Sequence, residues 1–256
     1  MHDLIDIGAN LTHDSFDKDR DRVIQRAAFS GISRMIVTGA SKEGSTQAYR
    51  LSKKYPEVLY ATAGVHPHHA ADYDDETDNL LRELNKEPTV VAVGECGLDF
   101  RPQQADKRTQ LHFFETQLNI AADARLPVVI HSVRATETVI QLIKKFKTPG
   151  GMIHSFSGST EQARQLIDLN FYISLGGSVT YDNAKKIRKV AKEIPLTSLL
   201  LETDAPDQPD QKNQGKRNEP AYLVNTLEVI SELREESAEA IATQTTTNAK
   251  TLFNIP

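Results

Sequence analysis

Short apolar runs recur along this chain, separated by longer stretches of helical periodicity. The runs fall at 4–7, 35–38, 59–65, 90–94, 128–131, 151–154, 171–175 and 199–204. Each is rich in β-branched or other apolar residues and bounded by Gly, Pro or polar residues, which predicts buried strands. Between them, Val23, Ala27 and Ala28 share one face of 17–31, and Leu111, Phe114, Leu118 and Ala121 share one face of 106–125, as in amphipathic helices. Helices are also predicted over 46–54, 136–146, 160–169 and 182–193. Another should begin in the acidic stretch 72–78, where acids suit the helix dipole, and run to about residue 85. Gly31 suits a helix end, and Pro56 and Pro127 stop the helices before them. Asn218 reads as the N-cap of a helix opened by Pro220, and a last helix covers 237–251. Eight strands each followed by a helix, with no run of consecutive strands, predict a parallel α/β protein. Eight units favour a closed (β/α)8 TIM barrel with an extra C-terminal helix over an open sheet. No repeat, linker or low-complexity region interrupts the pattern, so residues 1–256 read as one domain. The polar stretch 208–216 is expected to be the least ordered.

Length supports the barrel: the chain has 256 residues, and such barrels take about 250. No apolar run approaches the roughly 18 residues of a membrane helix. Met1-His2-Asp3-Leu4-Ile5-Asp6 has neither a basic nor a long apolar region, so no signal peptide is expected. The single Cys96 excludes an internal disulfide and suits a reducing cytoplasm. A net charge of -5 disfavours clamping of duplex DNA by a broad basic surface. A small site handling one phosphate with metal ions remains open.

Active sites of such barrels lie at the carboxyl ends of the strands, and here those ends carry Asp6, His66, Glu95, His131, His154 and Asp204. In Val90-Val91-Ala92-Val93-Gly94-Glu95 a carboxylate follows a buried run directly, and such a charge is costly unless a cation meets it. By period-two alternation, Glu95 shares a face with Val93 and Val91, His131 with Val129, His154 with Met152, and Glu202 with Asp204. A lone histidine at a strand end is explained equally well by a structural hydrogen bond. Four ionisable residues ending four of eight strands are not explained by packing. Two imidazoles and two carboxylates converging at one mouth suit a borderline divalent metal such as zinc, manganese or nickel. Cys96 points to the opposite side by alternation, which argues against a nucleophile. Glu202 fits a base or a partner for a nearby arginine equally.

Gly64-Val65-His66-Pro67-His68, Gly94-Glu95-Cys96-Gly97-Leu98-Asp99, His154-Ser155-Phe156-Ser157-Gly158, Glu202-Thr203-Asp204-Ala205-Pro206 and Arg217-Asn218-Glu219-Pro220 resemble the signatures of TatD-type deoxyribonucleases. They span nearly the whole chain in the family's order. The resemblance implies a metal-dependent (β/α)8 hydrolase of the amidohydrolase superfamily, trimming DNA from the 3′ end. By position, Glu95 would bind or bridge metal, His131 and His154 would ligate it, and Asp204 would be ligand and base. Most of that family carries His-x-His after the first strand's Asp. Here the stretch is Asp6-Ile7-Gly8-Ala9-Asn10, which resembles the TatD subgroup itself. Arg134 stands near the place of the family's usual arginine after strand five.

Together with these residues, the resemblance implies a phosphodiester hydrolase acting on nucleic-acid strand ends, with magnesium or manganese for activity and zinc or nickel able to occupy the histidine site. In it, a metal-activated water attacks, Asp204 takes its proton and Glu202 assists. His66, Arg134 and Arg217 are candidates for phosphate contact, arginine being suited to bidentate geometry. Phe100, Phe156 and Tyr181 follow strand ends and are candidates for stacking a terminal base. Two rivals remain. One is a metal-dependent ester or amide hydrolase on the same scaffold, such as an aminoacyl-tRNA deacylase. The other is a binding protein that has lost catalysis.

Overall fold

A computed structural model describes residues 2–256. Eight parallel strands form one sheet in sequence order: β1 (Leu4–Ala9), β2 (Ile32–Val37), β3 (Leu59–Ala63), β4 (Val90–Asp99), β5 (Val128–Val133), β6 (Gly151–Ile153), β7 (Phe171–Leu175) and β8 (Leu199–Leu201). Beyond β8 the chain meets β1 again. Ala205 bridges Ala9, and the Asp204 amide donates to the Gly8 carbonyl at 2.8 Å. That seam closes a TIM barrel, as the alternation of strands and helices predicts.

The helices are α1 (Arg20–Phe29), α2 (Lys42–Lys54), α3 (Asp75–Leu84), α4 (Lys107–Ala124), α5 (Thr136–Lys145), α6 (Thr160–Ile167), α7 (Lys185–Glu193), α8 (Leu223–Arg234) and α9 (Ala238–Phe253). Their apolar faces pack on the outside of the strands in one continuous core. A separate cluster fills the barrel interior, including Ile5, Ile7, Val91, Val129, Met152 and Leu200, with Phe253 and Ile255 packed into it from the chain's end.

Side-chain caps explain most helix starts. Ser41, Asp74, Asp106, Ser159 and Ser237 each accept an amide hydrogen bond at the first turn of the helix that follows. The Ser41 cap starts α2 four residues earlier than apolar spacing suggests.

Several expectations need correcting. β4 runs past Gly94 to Asp99. Its register on β5 shifts between Val93 and Cys96, so both of those side chains join the outer core while Glu95 turns to the barrel mouth. Glu95 therefore does not share a face with Val93; the inserted residue breaks the alternation. Gly94 and Gly97 hold φ near +137° and +136°, a region open chiefly to glycine. β8 ends at Leu201, before Glu202. Asn218 caps no helix: its amide donates to the carbonyls of Thr203 and Asp207, both at 2.8 Å, and pins the loop after β8. The stretch 208–216 is folded around buried Asp210, which caps a short turn at Gln211–Asn213.

Candidate active site

The carboxyl ends of the strands open on a cavity of about 660 Å³. Asn10, His66, His68, Glu95, Arg101, His131, His154, Ser155, Asp204 and Gln208 are among the residues lining it. Another cleft of about 600 Å³ lies between residues 12–20 and 47–54, and carries none of these converging groups.

Glu95 is the hub. Its side chain is 8% exposed, and Oε1 faces three imidazole nitrogens: His131 Nδ1 at 3.1 Å, His66 Nε2 at 3.7 Å and His154 Nε2 at 3.9 Å. Burial opposes its charge, yet His154, His66 and His131 hold it well below the usual carboxylate range. His154 lies between two acids, with Nε2 3.1 Å from Asp204 Oδ1 and Nδ1 2.7 Å from Glu202 Oε2. Burial opposes a positive His154, but Glu202, Glu95 and Asp204 together raise its pKa well above the ordinary value. Only Glu95 supports a charge on His66, and burial pushes it down to about 3, so its ring is neutral: Nδ1 accepts from the His68 amide at 3.1 Å, which leaves the N–H at Nε2, toward Glu95.

Glu202 is fully buried. Oε1 accepts from the Ser155 amide, and apart from the His154 contact no hydrogen bond reaches Oε2. Gly8 makes room for this pair. A Cβ at position 8 would lie 3.1 Å from Glu202 Oε2 and 3.2 Å from His154 Cε1. Asn10 does reach the cavity, where its Oδ1 accepts from the Thr12 hydroxyl at 2.9 Å. Asp6 lies behind the cavity wall, accepting from the Thr203 amide and hydroxyl. Burial pushes it up to about 7 against those hydrogen bonds.

Asp204 and Ser155 adopt left-handed backbone, with φ 59° and 43°. Such conformations cluster at sites where a side chain must be aimed. Gln208 donates to both side chains and ties the two loops together.

The geometry divides the expected phosphate contacts. His66 lines the cavity. Arg134 follows β5 with an exposed side chain and does not line it. Arg217 is drawn elsewhere: it pairs with Asp19 and Glu219 and lies over the Phe16 ring. The guanidinium at the mouth belongs to Arg101, anchored on Asp99 and 3.2 Å from His68 Nε2. Sequence reasoning passed over Arg101, although Asp99 and His68 belong to motifs already singled out. None of Phe100, Phe156 or Tyr181 lines the cavity. Phe156 is buried, Phe100 lies under Lys107, and the Tyr181 hydroxyl donates to Pro209. Cys96 is buried in the outer core, where burial pushes its thiol up.

The profile of the family described as "TatD related DNase" matches residues 5–254. The chain belongs to the TatD-related DNase family. It is 41% identical over 254 residues to an uncharacterised metal-dependent hydrolase, YabD, of Bacillus subtilis, covering 98% of this chain and 99% of that one. It is 38% identical over 259 residues to a protein of Erwinia tasmaniensis named 3′-5′ ssDNA/RNA exonuclease TatD, covering 98% and 100%. Among solved structures, the TatD homologue YJJV of Escherichia coli K12 superposes with a TM-score of 0.93 at 36% identity, covering 99% and 98%.

The donor set suits the divalent ion on which such hydrolases depend. Glu95, Glu202 and Asp204 bring three carboxylates to a few neutral or singly charged imidazoles, leaving negative charge for a cation to balance. His66, His68 and His131 also offer one donor atom each within 4.8 Å of one another, so His131 stands between two groups of potential ligands.

Proposed function

We propose that this protein is a metal-dependent 3′–5′ exonuclease that hydrolyses phosphodiester bonds at the ends of single-stranded DNA or RNA. The observation that carries the reading is the convergence of Glu95, His131, His154 and Asp204 at one barrel mouth, in a chain of the TatD-related DNase family. Those four residues would hold a divalent ion, with magnesium or manganese supporting activity and zinc or nickel able to fill the histidine-rich position. When bound, such an ion lowers the pKa of a water and polarises a phosphoryl oxygen.

The side chains supply the rest. Asp204, whose side chain is 26% exposed, opens to the cavity and is the base that accepts the attacking water's proton. Glu202 holds His154 from behind. Arg101, His66 and His68 form the cationic and hydrogen-bonding flank that meets phosphate oxygens opposite the acids. A cavity of this size takes one or two nucleotides, which suits an end-acting enzyme and the acidic overall charge. Among the described residues no helix is long and apolar enough to cross a membrane. Together with the lone buried cysteine, that agrees with a cytoplasmic enzyme.

The test is digestion of end-labelled single strands by metal-stripped and metal-restored protein. Stepwise loss from the 3′ end, only with metal, is expected. Faster turnover of an aminoacyl ester than of any strand would favour the ester hydrolase instead.

A further inference from the structure

His131 is held between two buried carboxylates. Nδ1 is 3.1 Å from Glu95 Oε1, and Nε2 is 3.2 Å from Asp99 Oδ2. A neutral imidazole has one N–H and one lone pair, so it donates to only one of them. His154 is arranged in the same way, with Nδ1 on Glu202 and Nε2 toward Asp204 and Glu95. In each case one ring nitrogen faces the cavity's centre and the other faces a carboxylate with no exposure at all.

Asp99 is fixed from several sides. Gln110 brackets its backbone, accepting from the Asp99 amide at 2.8 Å and donating to its carbonyl at 2.9 Å. Arg101 donates to both carboxylate oxygens. β4 and β5 pair Gly97 with His131 and Asp99 with Val133, so carboxylate and imidazole come from neighbouring strands rather than from a mobile loop.

We propose that Asp99 is a positioning residue that accepts the His131 Nε2 proton and so fixes the tautomer whose Nδ1 lone pair faces Glu95 and the bound ion. The inference rests on the metal-dependent reading above. A carboxylate behind a ligating imidazole orients the ring and raises its basicity, and losing it typically costs about 10–100-fold in metal affinity. Asp99 thus does for His131 what Glu202 does for His154. The competing role for Asp99 is to anchor Arg101 and His68, whose Nε2 lies 3.0 Å from Asp99 Oδ2, for phosphate contact.

The experiment uses full-length protein, metal-stripped and titrated with cobalt(II) against a chromophoric chelator. The visible absorption of bound cobalt reports ligand geometry, and nitrogen-15 NMR of the protein loaded with diamagnetic zinc reports the His131 tautomer. Asp99→Asn is expected to weaken cobalt binding by about 10–100-fold, shift the cobalt spectrum and replace a single Nε2–H tautomer with a mixture. Arg101→Gln is expected to keep the wild-type affinity, spectrum and tautomer. An unchanged affinity and spectrum in Asp99→Asn overturns the proposal. So does Arg101→Gln matching Asp99→Asn, which would assign Asp99 to guanidinium anchoring. An Nδ1–H tautomer in the wild type overturns it too, whether or not the Asp99 variant folds. Failure of the wild type to bind cobalt would instead overturn the metal-dependent reading, and this proposal with it.

Discussion

In the barrel interior, Val129, Met152 and Leu200 belong to an apolar floor; two residues further on, His131 and His154 reach the mouth and Glu202 lies buried behind His154. The face is the same, because side chains repeat every second residue along a strand. The energetics are opposite. Each floor residue contributes about 1.5–3 kcal/mol by leaving water. The mouth groups cost free energy to bury and recover it only by pairing or by meeting a cation. A mouth substitution should therefore remove activity and spare the fold, and a floor substitution should do the reverse.

The sharpest break is expected at Asp204. Asp204→Asn removes the proposed base while keeping the shape that Gln208 and His154 contact. Hydrolysis should fall about 10²–10⁴-fold with an unchanged melting temperature. Wild-type turnover in metal-replete buffer would remove Asp204 from that role and place the base elsewhere on the mouth.

Metal removal should act on the mouth alone. Gly8 has no ligand to offer, and the Glu202–His154 pair occupies the space a longer side chain there would need. Asn10 brings only an amide oxygen, already accepting from Thr12. One tightly held ion per chain is expected after exhaustive dialysis, with activity responding to added magnesium or manganese through a weaker second position rich in oxygen donors. Two retained ions and no response to added metal would show that ligands other than these complete a second site.

The floor supplies the converse. Leu200 is fully buried in the interior cluster, and Leu200→Ala should cost about 2–5 kcal/mol of stability. The fraction still folded should keep its KM. Urea midpoints and steady-state kinetics on one preparation separate the two effects. A lost kcat at full stability would mean that the floor helps to aim the mouth.

How much of this was legible follows from what period and motif can carry. The eight strands and the ionisable groups at their ends show in the sequence because burial imposes runs and alternation on it. Three kinds of feature do not show. A bulge, such as the one between Val93 and Cys96, adds a residue that alternation cannot foresee. A staple such as Asn218 looks like a cap, because the same amide serves either purpose. The direction of a loop arginine depends on which acids lie near it in space. Asp19, almost two hundred positions away, claims Arg217, whereas Asp99, two positions away, brings Arg101 to the cavity. The family motifs mark the neighbourhood of such residues but not their aim.

Asp6 lies at the border between floor and mouth and titrates in a useful range. Its pKa is pushed up to about 7 from an ordinary value of 3.8. Between those values the folded protein holds a proton that the unfolded chain has released. Its contribution to stability is therefore full below about pH 4 and declines as pH rises to about 7. The slope is at most about 1.4 kcal/mol per pH unit. Asp6→Asn should flatten this decline in urea midpoints taken across that window. An unchanged slope would mean that Asp6 is already ionised in the folded protein.

The smallest effect is expected at Arg217, and it tests where the mouth ends. The guanidinium makes paired hydrogen bonds to Asp19 Oδ1 and Oδ2, both at 2.8 Å, one to Glu219 at 2.7 Å, and lies 4.6 Å from the centre of the Phe16 ring. These contacts join the loop after β8 to the segment before α1, outside the residues lining the cavity. Partly exposed ion pairs contribute about 1 kcal/mol or less, and the contact with Phe16 adds a similar amount at most. Arg217→Met should therefore lower the melting temperature slightly and leave KM for a single strand unchanged. A KM raised several-fold at unchanged stability would show that the incoming strand displaces Asp19 and Glu219 from the guanidinium. The phosphate-binding surface would then extend from Arg101 across the mouth to the first helix.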